Sequence, residues 1–419
     1  MSESSVPLFR PFPGLRPAPE RAREVIAPPY DVVDTEEARA MAGDNPWTFL
    51  HISKPEIDFP EGKDPYSDEC YAKAAESLRR MEEEGVLVRD SKPCYYAYRI
   101  TMGDHVQTGL VVGGSVEAYD NNRIRKHEVT RPDKEDDRVR QIDAVDAQTG
   151  PALIAHHGIP EVADILKNVT AEPAHYGATL EGVHHEVWVI DNDDAIRAIT
   201  DAFERQPAVY IADGHHRSAA ASRVAAKRRA NDPDRRGDEL YESFLAVAFP
   251  VDEMMILDYN RVVADLNGMD AEAFKAKLGE QFKVEATSGR ARPTEAHTFG
   301  MYLQGQWYRL TPKEALPPES DPVRRLDVQL LADRVIEPVL GIDDPRRDKR
   351  IDFVGGVRGM EELEKRVDSG EMAVAFALYP TQMTELMAVA DAEDVMPPKS
   401  TWFEPKLADG LVSYPLDQD

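Results

Sequence analysis

Apolar residues recur at helical spacing through residues 67–84, at Tyr71, Ala74, Ala75, Leu78 and Met81, and Gly85 follows as a stop. That pattern predicts a helix. Upstream, residues 26–34 contain Pro28 and Pro29. Each proline fixes its own φ and pushes its predecessor out of the helical region, so extended chain is expected. Asp34-Thr-Glu-Glu37 then caps a short helix running to about Ala42. After Pro93 the pattern turns strand-like. Residues 94–100 and 107–116 are apolar runs joined by a turn at 102–105, which predicts a hairpin. Further strands are expected at 184–190, 208–212, 244–249 and 372–378, and helices at 194–203, 218–230, 271–281, 328–340 and 382–391. The charged stretch 120–140 reads as irregular chain leading into a helix that ends near Gln148, and 397–406 as a proline-bounded loop. Locally paired strands mixed with helices, without a regular strand–helix–strand series, define an α+β protein.

Length and charge narrow the function classes. A chain of 419 residues is long enough for two or three compact units. The segments expected are 1–92, Pro-rich and helical, 93–260 as the core, and 261–419 as a C-terminal α/β part. Fifty Lys and Arg stand against 77 Asp and Glu, for a net charge of −27. Such a surface is unsuited to nucleic acid and to anionic membranes, both of which need Lys and Arg. No apolar run reaches the roughly 18–20 residues of a membrane helix, and the N-terminus lacks the basic start and apolar run of a secretory signal. The two cysteines, Cys70 and Cys94, form no CxxC and no disulfide framework. A cytoplasmic protein with reduced thiols is expected.

Three segments concentrate chemistry. In Tyr210-Ile-Ala-Asp213-Gly214-His215-His216-Arg217 a buried strand ends in an acid and a glycine, and two histidines and an arginine open a helix. A helix start offers unpaired N–H groups to an anion, Arg217 adds a fork suited to phosphate oxygens, and Asp213 is placed to hold Mg²⁺ or orient a hydroxyl. The stretch Arg123 to Lys134, with Lys126, His127, Glu128 and Thr130, is basic inside an acidic chain, as an anion site would be. Glu128 lies among its cations as a candidate general base. Lys399, Ser400 and Thr401 offer an ammonium and two hydroxyls to phosphate. The P-loop, GxGxxG, HExxH and GxSxG motifs are all absent.

In order along the chain, Ala27-Pro-Pro-Tyr-Asp-Val-Val33, Lys126-His-Glu-Val-Thr130, Tyr210 to Arg217, Glu337-Pro-Val-Leu-Gly-Ile342 and Met396-Pro-Pro-Lys-Ser-Thr401 resemble the family catalogued as domain of unknown function 1015. The segment Asp213-Gly-His-His-Arg217 also resembles the motif of free-serine kinases in the ParB/sulfiredoxin-like superfamily. That resemblance implies a mixed-sheet, nucleotide-binding core with N- and C-terminal elaborations. It also implies a nucleotide-dependent kinase acting on the hydroxyl of a small metabolite, with L-serine the leading candidate, and with ATP (or ADP) as phosphate donor and Mg²⁺ as cofactor. Glu128, Asp213 and His216 are the expected catalytic residues, with Asp213 also the metal ligand. Lys126, His127, Thr130, Gly214, His215, Arg217, Lys399, Ser400 and Thr401 are expected to hold the nucleotide. Either Glu128 or Asp213 accepts the substrate proton. The competing class is a nucleotide-binding switch or ligand sensor without phosphotransfer, and a third is a metal-dependent hydrolase built on the paired histidines.

Overall fold

The computed structural model describes residues 6–417 and is α+β. It divides into two compact units, residues 6–254 with 405–417, and Met255–Glu404. This division differs from the three segments read from the sequence. The Pro-rich N-terminal part shares a unit with the KHE and DGHHR segments, and the last residues return to that unit.

The first unit is built on a nine-stranded mixed sheet. Its order is Ile124–Arg125, Val209–Asp213, Ala152–His156, Ser243–Pro250, His105–Ser115, Tyr95–Met102, Val183–Ile190 and Tyr176–Leu180, with Phe9–Arg10 added beside His105–Ser115. Ala152–His156 runs antiparallel to Val209–Asp213 and parallel to Ser243–Pro250. All five of its residues are buried. A strand covered on both faces shows no alternation, which is why the polar–apolar pattern passed over it. The expected hairpin forms, with Tyr96 opposite Val111 and Met102 opposite His105.

The helices follow their caps. Asp34 accepts from the Glu37 N–H at 2.8 Å while Glu37 accepts from the Asp34 N–H at 2.9 Å, a reciprocal box that starts Thr35–Ala42. Asp68–Glu83 buries Tyr71, Ala74, Leu78 and Met81 on one face. Between Asp120 and Gln148 the expected helix is shorter, Pro132–Val145. Pro132 occupies its first turn, and Ala147–Gln148 is already strand.

The C-terminal segment is stitched in by backbone. Ala27 and Asp409 exchange hydrogen bonds at 3.1 and 2.9 Å, and Tyr414–Pro415 pairs with Ala147–Gln148. These ladders carry Lys406 and Asp409 to the Asp213 corner.

The second unit is a six-stranded antiparallel sheet in the order Phe282–Ala286, Gln306–Pro312, Phe299–Leu303, Val374–Leu378, Tyr259–Val263 and Ile351–Gly355. Residues 328–340, expected as one helix, instead form Asp327–Leu331 followed by a π-helical turn, Ala332–Ile336. The expected loop at 397–406 contains the short strand Trp402–Glu404, paired with Met255–Leu257. No helix among the described residues is long and apolar enough to cross a membrane.

Candidate active site

The site of interest is the corner between Val209–Asp213 and the helix His215–Asn231. Gly214 stands between them with φ 91° and ψ 27°, a left-handed conformation that glycine adopts without strain. This corner puts both histidines in the first turn of the helix, where the Asp213–Arg217 segment had them, three residues ahead of the Ala-rich stretch at 218–230. A Cβ on Gly214 would come within 3.0 Å of Ala152 Cα, so the neighbouring strand leaves no room for a larger residue.

Asp213 turns one carboxylate oxygen to the Gly214 N–H at 2.8 Å and the other toward Lys406 Nζ at 3.5 Å. Burial alone would raise its pKa, but Lys406, Arg217, the Gly214 N–H and His215 outweigh that effect and hold it below the ordinary carboxylate value. Asp213 is therefore an anion beside an ammonium, at the positive end of a 17-residue helix.

The segment that carries Lys126 to Thr130 lies along this corner. The His127 N–H donates to His215 Nε2 at 3.4 Å, and the two rings meet edge to face at 4.4 Å. Glu128 Oε2 lies 3.4 Å from His215 Nδ1. His127 is buried, and neither ring nitrogen makes a well-formed hydrogen bond among the described residues. His127, Glu128 and His215 each bring a ligand atom within 4.8 Å of the others, so the three could hold a cation. Two imidazoles and one carboxylate suit a transition ion, whereas Mg²⁺ prefers oxygen ligands such as Asp213 and phosphate.

The other expected residues are placed as follows. Lys126 donates to the Tyr119 carbonyl at 2.7 Å and lies over that ring at 4.0 Å. Thr130 bonds Glu135. His216 Nε2 accepts from the Arg131 N–H at 3.1 Å. Arg217 donates to the Pro151 carbonyl at 2.7 Å and to Asp31 at 3.0 and 3.1 Å. Lys399, Ser400 and Thr401 belong to the second unit. There the Lys399 carbonyl accepts from Arg261, Ser400 Oγ donates to the Pro397 carbonyl, and the Ser400 carbonyl accepts from Thr381.

Three groups at this corner escaped sequence reasoning, Tyr30, Asp31 and Asp409, and a fourth, Arg138, enters it only as one charge after the basic stretch 123–134. Arg138 stacks over Tyr30 at 3.8 Å, and Arg217 lies 5.4 Å from the same ring. The only available hint was that Tyr30 and Asp31 lie in the Ala27–Val33 motif, which had no chemical role assigned.

Burial also sets the histidines. It pushes His127 down to about 3 and His156, His185 and His215 down to about 4, so all four are neutral near pH 7. Their ring resonances are expected not to titrate between pH 8 and 5 in NMR, unlike an ordinary histidine with its midpoint near 6.5. The unfolded chain takes up these protons below about 6.5, and the folded chain does so only near 3–4. What these four groups contribute to stability is therefore present above pH 6.5 and lost as the pH falls toward 4. Ring titration near 6.5 in the folded protein would contradict their burial.

The fold and the corner define an α+β protein in which a helix start is flanked by a carboxylate, an ammonium and a histidine pair. The chain belongs to the protein family of unknown function DUF1015, whose model matches residues 9–329. No curated protein matches the chain. Among solved structures it is similar to a free serine kinase in complex with AMP, at 12% identity and a TM-score of 0.33, over 72% of this chain and 92% of that one. It is also similar to a conserved hypothetical protein from Pyrococcus furiosus (13%, TM-score 0.32, 72% and 94%). A third similar structure is SbnI with C-terminal truncation from Staphylococcus aureus (12%, TM-score 0.36, 71% and 84%).

Proposed function

We propose that the first unit is a nucleotide-dependent kinase that transfers the terminal phosphoryl group of a nucleoside triphosphate to the hydroxyl of a small metabolite. The observation that carries this reading is Asp213 at the start of the His215–Asn231 helix with Lys406 Nζ 3.5 Å away. Phosphoryl transfer requires charge neutralisation and alignment more than a covalent group on the protein. The helix N–H groups and Lys406 supply positive potential for phosphate oxygens. Asp213, ionised and half-exposed, would hold Mg²⁺, which would supply further positive charge to those oxygens. His127, with both ring nitrogens buried and unbonded among the described residues, supplies a neutral donor or acceptor facing the same corner.

L-serine is the leading acceptor because the Asp213–Arg217 motif resembles that of free-serine kinases. The test is ADP release from ATP and Mg²⁺, with and without a panel of small hydroxylated metabolites that includes L-serine. Release that depends on one panel member is the expected result. Binding of nucleotide without acceptor-dependent release would favour a switch, and failure to bind nucleotide would remove the reading.

A further inference from the structure

Beside the Asp213 corner, a small half-open cavity of about 30 Å³ lies among Tyr30, Arg138, Gln148, Gly150, Arg217 and Asp409. Two polar atoms on its wall, Arg217 Nε and Asp409 Oδ1, are buried and have no hydrogen-bond partner. One is a donor and the other an acceptor. Both lie 3.5 Å from the point where Gly150 would carry a Cβ. Native chains pair nearly all their buried polar atoms, so a donor and an acceptor left open around one point mark the place of a ligand atom. An atom that accepts from N–H and donates to a carboxylate is a hydroxyl.

Water would satisfy that pair too, but a second group asks for more than water. Arg138 spends Nε and Nη2 on Asp137 Oδ2, at 3.0 and 2.7 Å, which leaves Nη1 without a bond among the described residues. A guanidinium edge in a cavity is suited to a carboxylate. Arg217 joins this cavity to the helix start, because its Cδ lies 3.6 Å from the Cβ points of both Gly150 and Gly214.

We propose that this cavity binds the phosphoryl acceptor as a small hydroxy acid. Its carboxylate lies on Arg138 and its hydroxyl between Arg217 and Asp409, and Asp409, rather than Glu128 or Asp213, takes the hydroxyl proton. This rests on the kinase reading above. The acceptor oxygen forms a bond to the γ-phosphorus of the nucleoside triphosphate. The bond from that phosphorus to the β–γ bridging oxygen breaks, the nucleoside diphosphate leaves with the electron pair, and the proton passes to Asp409. Burial pushes the Asp409 carboxyl up to about 7, with Asp31 adding to the rise and Arg217, Arg138 and the Tyr30 backbone N–H opposing it. A base in that range is matched to neutral solution.

The test is calorimetric titration of the full chain with L-serine and D-glycerate, against L-alanine, which lacks the hydroxyl, and ethanolamine, which lacks the carboxylate. The hydroxy acids are expected to bind, and each deleted group to weaken binding at least tenfold. Gly150→Ala places a methyl at ordinary contact distance from both unpaired atoms, so the chain should fold. It should weaken hydroxy-acid binding at least tenfold and leave ATP affinity within twofold. Asp409→Asn keeps the shape and removes the base. Turnover should fall at least a hundredfold and lose its rise through pH 7, a rise that Glu128→Gln should retain.

Absence of hydroxy-acid binding, normal binding by Gly150→Ala, or a pH rise preserved in Asp409→Asn would each overturn the proposal. The two readings separate cleanly. Acceptor-dependent ADP release that ignores Gly150→Ala leaves a kinase without this pocket. Hydroxy-acid binding lost in Gly150→Ala, with no ADP release from any acceptor, supports the pocket while overturning the kinase and the proton role of Asp409.

Discussion

Asp213→Asn is expected to lower acceptor-dependent ADP release by roughly a thousandfold, within the range seen when a positioned acid–base or electrostatic group is removed. The substitution is close to isosteric. An asparagine oxygen can still accept from the Gly214 N–H, now bonded to Asp213 at 2.8 Å, so the corner keeps its geometry. What is lost is the negative charge, and with it the proposed ligand for Mg²⁺. The pair with Lys406 is long, at 3.5 Å, and the Asp213 side chain is 46% exposed, so its loss contributes less than about 1 kcal/mol to stability. Thermal unfolding should therefore stay within a few degrees of the native chain while turnover collapses. Steady-state kinetics beside a melting curve make the check. Near-normal turnover in a folded Asp213→Asn chain would remove Asp213 from the chemistry.

The part of this corner that was legible in the sequence is the part made by local pattern. A short apolar run ending in Asp213-Gly214 and followed by an Ala-rich stretch gives strand, turn and helix without reference to the rest of the chain, and that junction forms. Glu128 and His215 are far apart in sequence, yet they meet at 3.4 Å. Asp409 gave no clue. It reaches the corner because its backbone pairs with Ala27, and a ladder of N–H and C=O groups leaves no side-chain signature. Arg138 was hidden differently, as one charge among many in a helix whose first turns are largely polar. Its burial over Tyr30 depends on where the N-terminal extended segment lies, which periodicity does not report. The hydroxyls and ammonium of Lys399, Ser400 and Thr401 are read as phosphate ligands by residue type. In the second unit, the Lys399 and Ser400 carbonyls accept from Arg261 and Thr381, and the Ser400 hydroxyl donates to Pro397.

Arg217 is read from the sequence as a phosphate fork, yet in the fold its largest expected effect is on stability. Its side chain is 12% exposed, and it donates to the Pro151 carbonyl and to both oxygens of Asp31. Burial acts against its charge, but Asp31, Tyr30, Asp409 and Asp213 raise its pKa further above the usual guanidinium value. Removing it leaves the Pro151 carbonyl unpaired and Asp409 buried without its main counter-charge. Loss of one partner from a buried ion pair costs about 3–5 kcal/mol, and the lower end applies here because Asp31 is 45% exposed and water can take over part of its pairing. Arg217→Ala is thus expected to destabilise the first unit by about 3 kcal/mol, a fall in its melting temperature on the order of 5–10 °C. Arg217→Lys should recover only part of this, since an ammonium keeps the charge but cannot serve Pro151 and Asp31 as the planar fork does. The pH dependence separates this account from a simple loss of packing. With Arg217 gone, Asp409 is held protonated to higher pH, so the deficit should widen as the pH rises from 6 to 8. A melting temperature unchanged within 2 °C, or a deficit independent of pH, would show that Arg217 and Asp409 are not coupled as the structure has them.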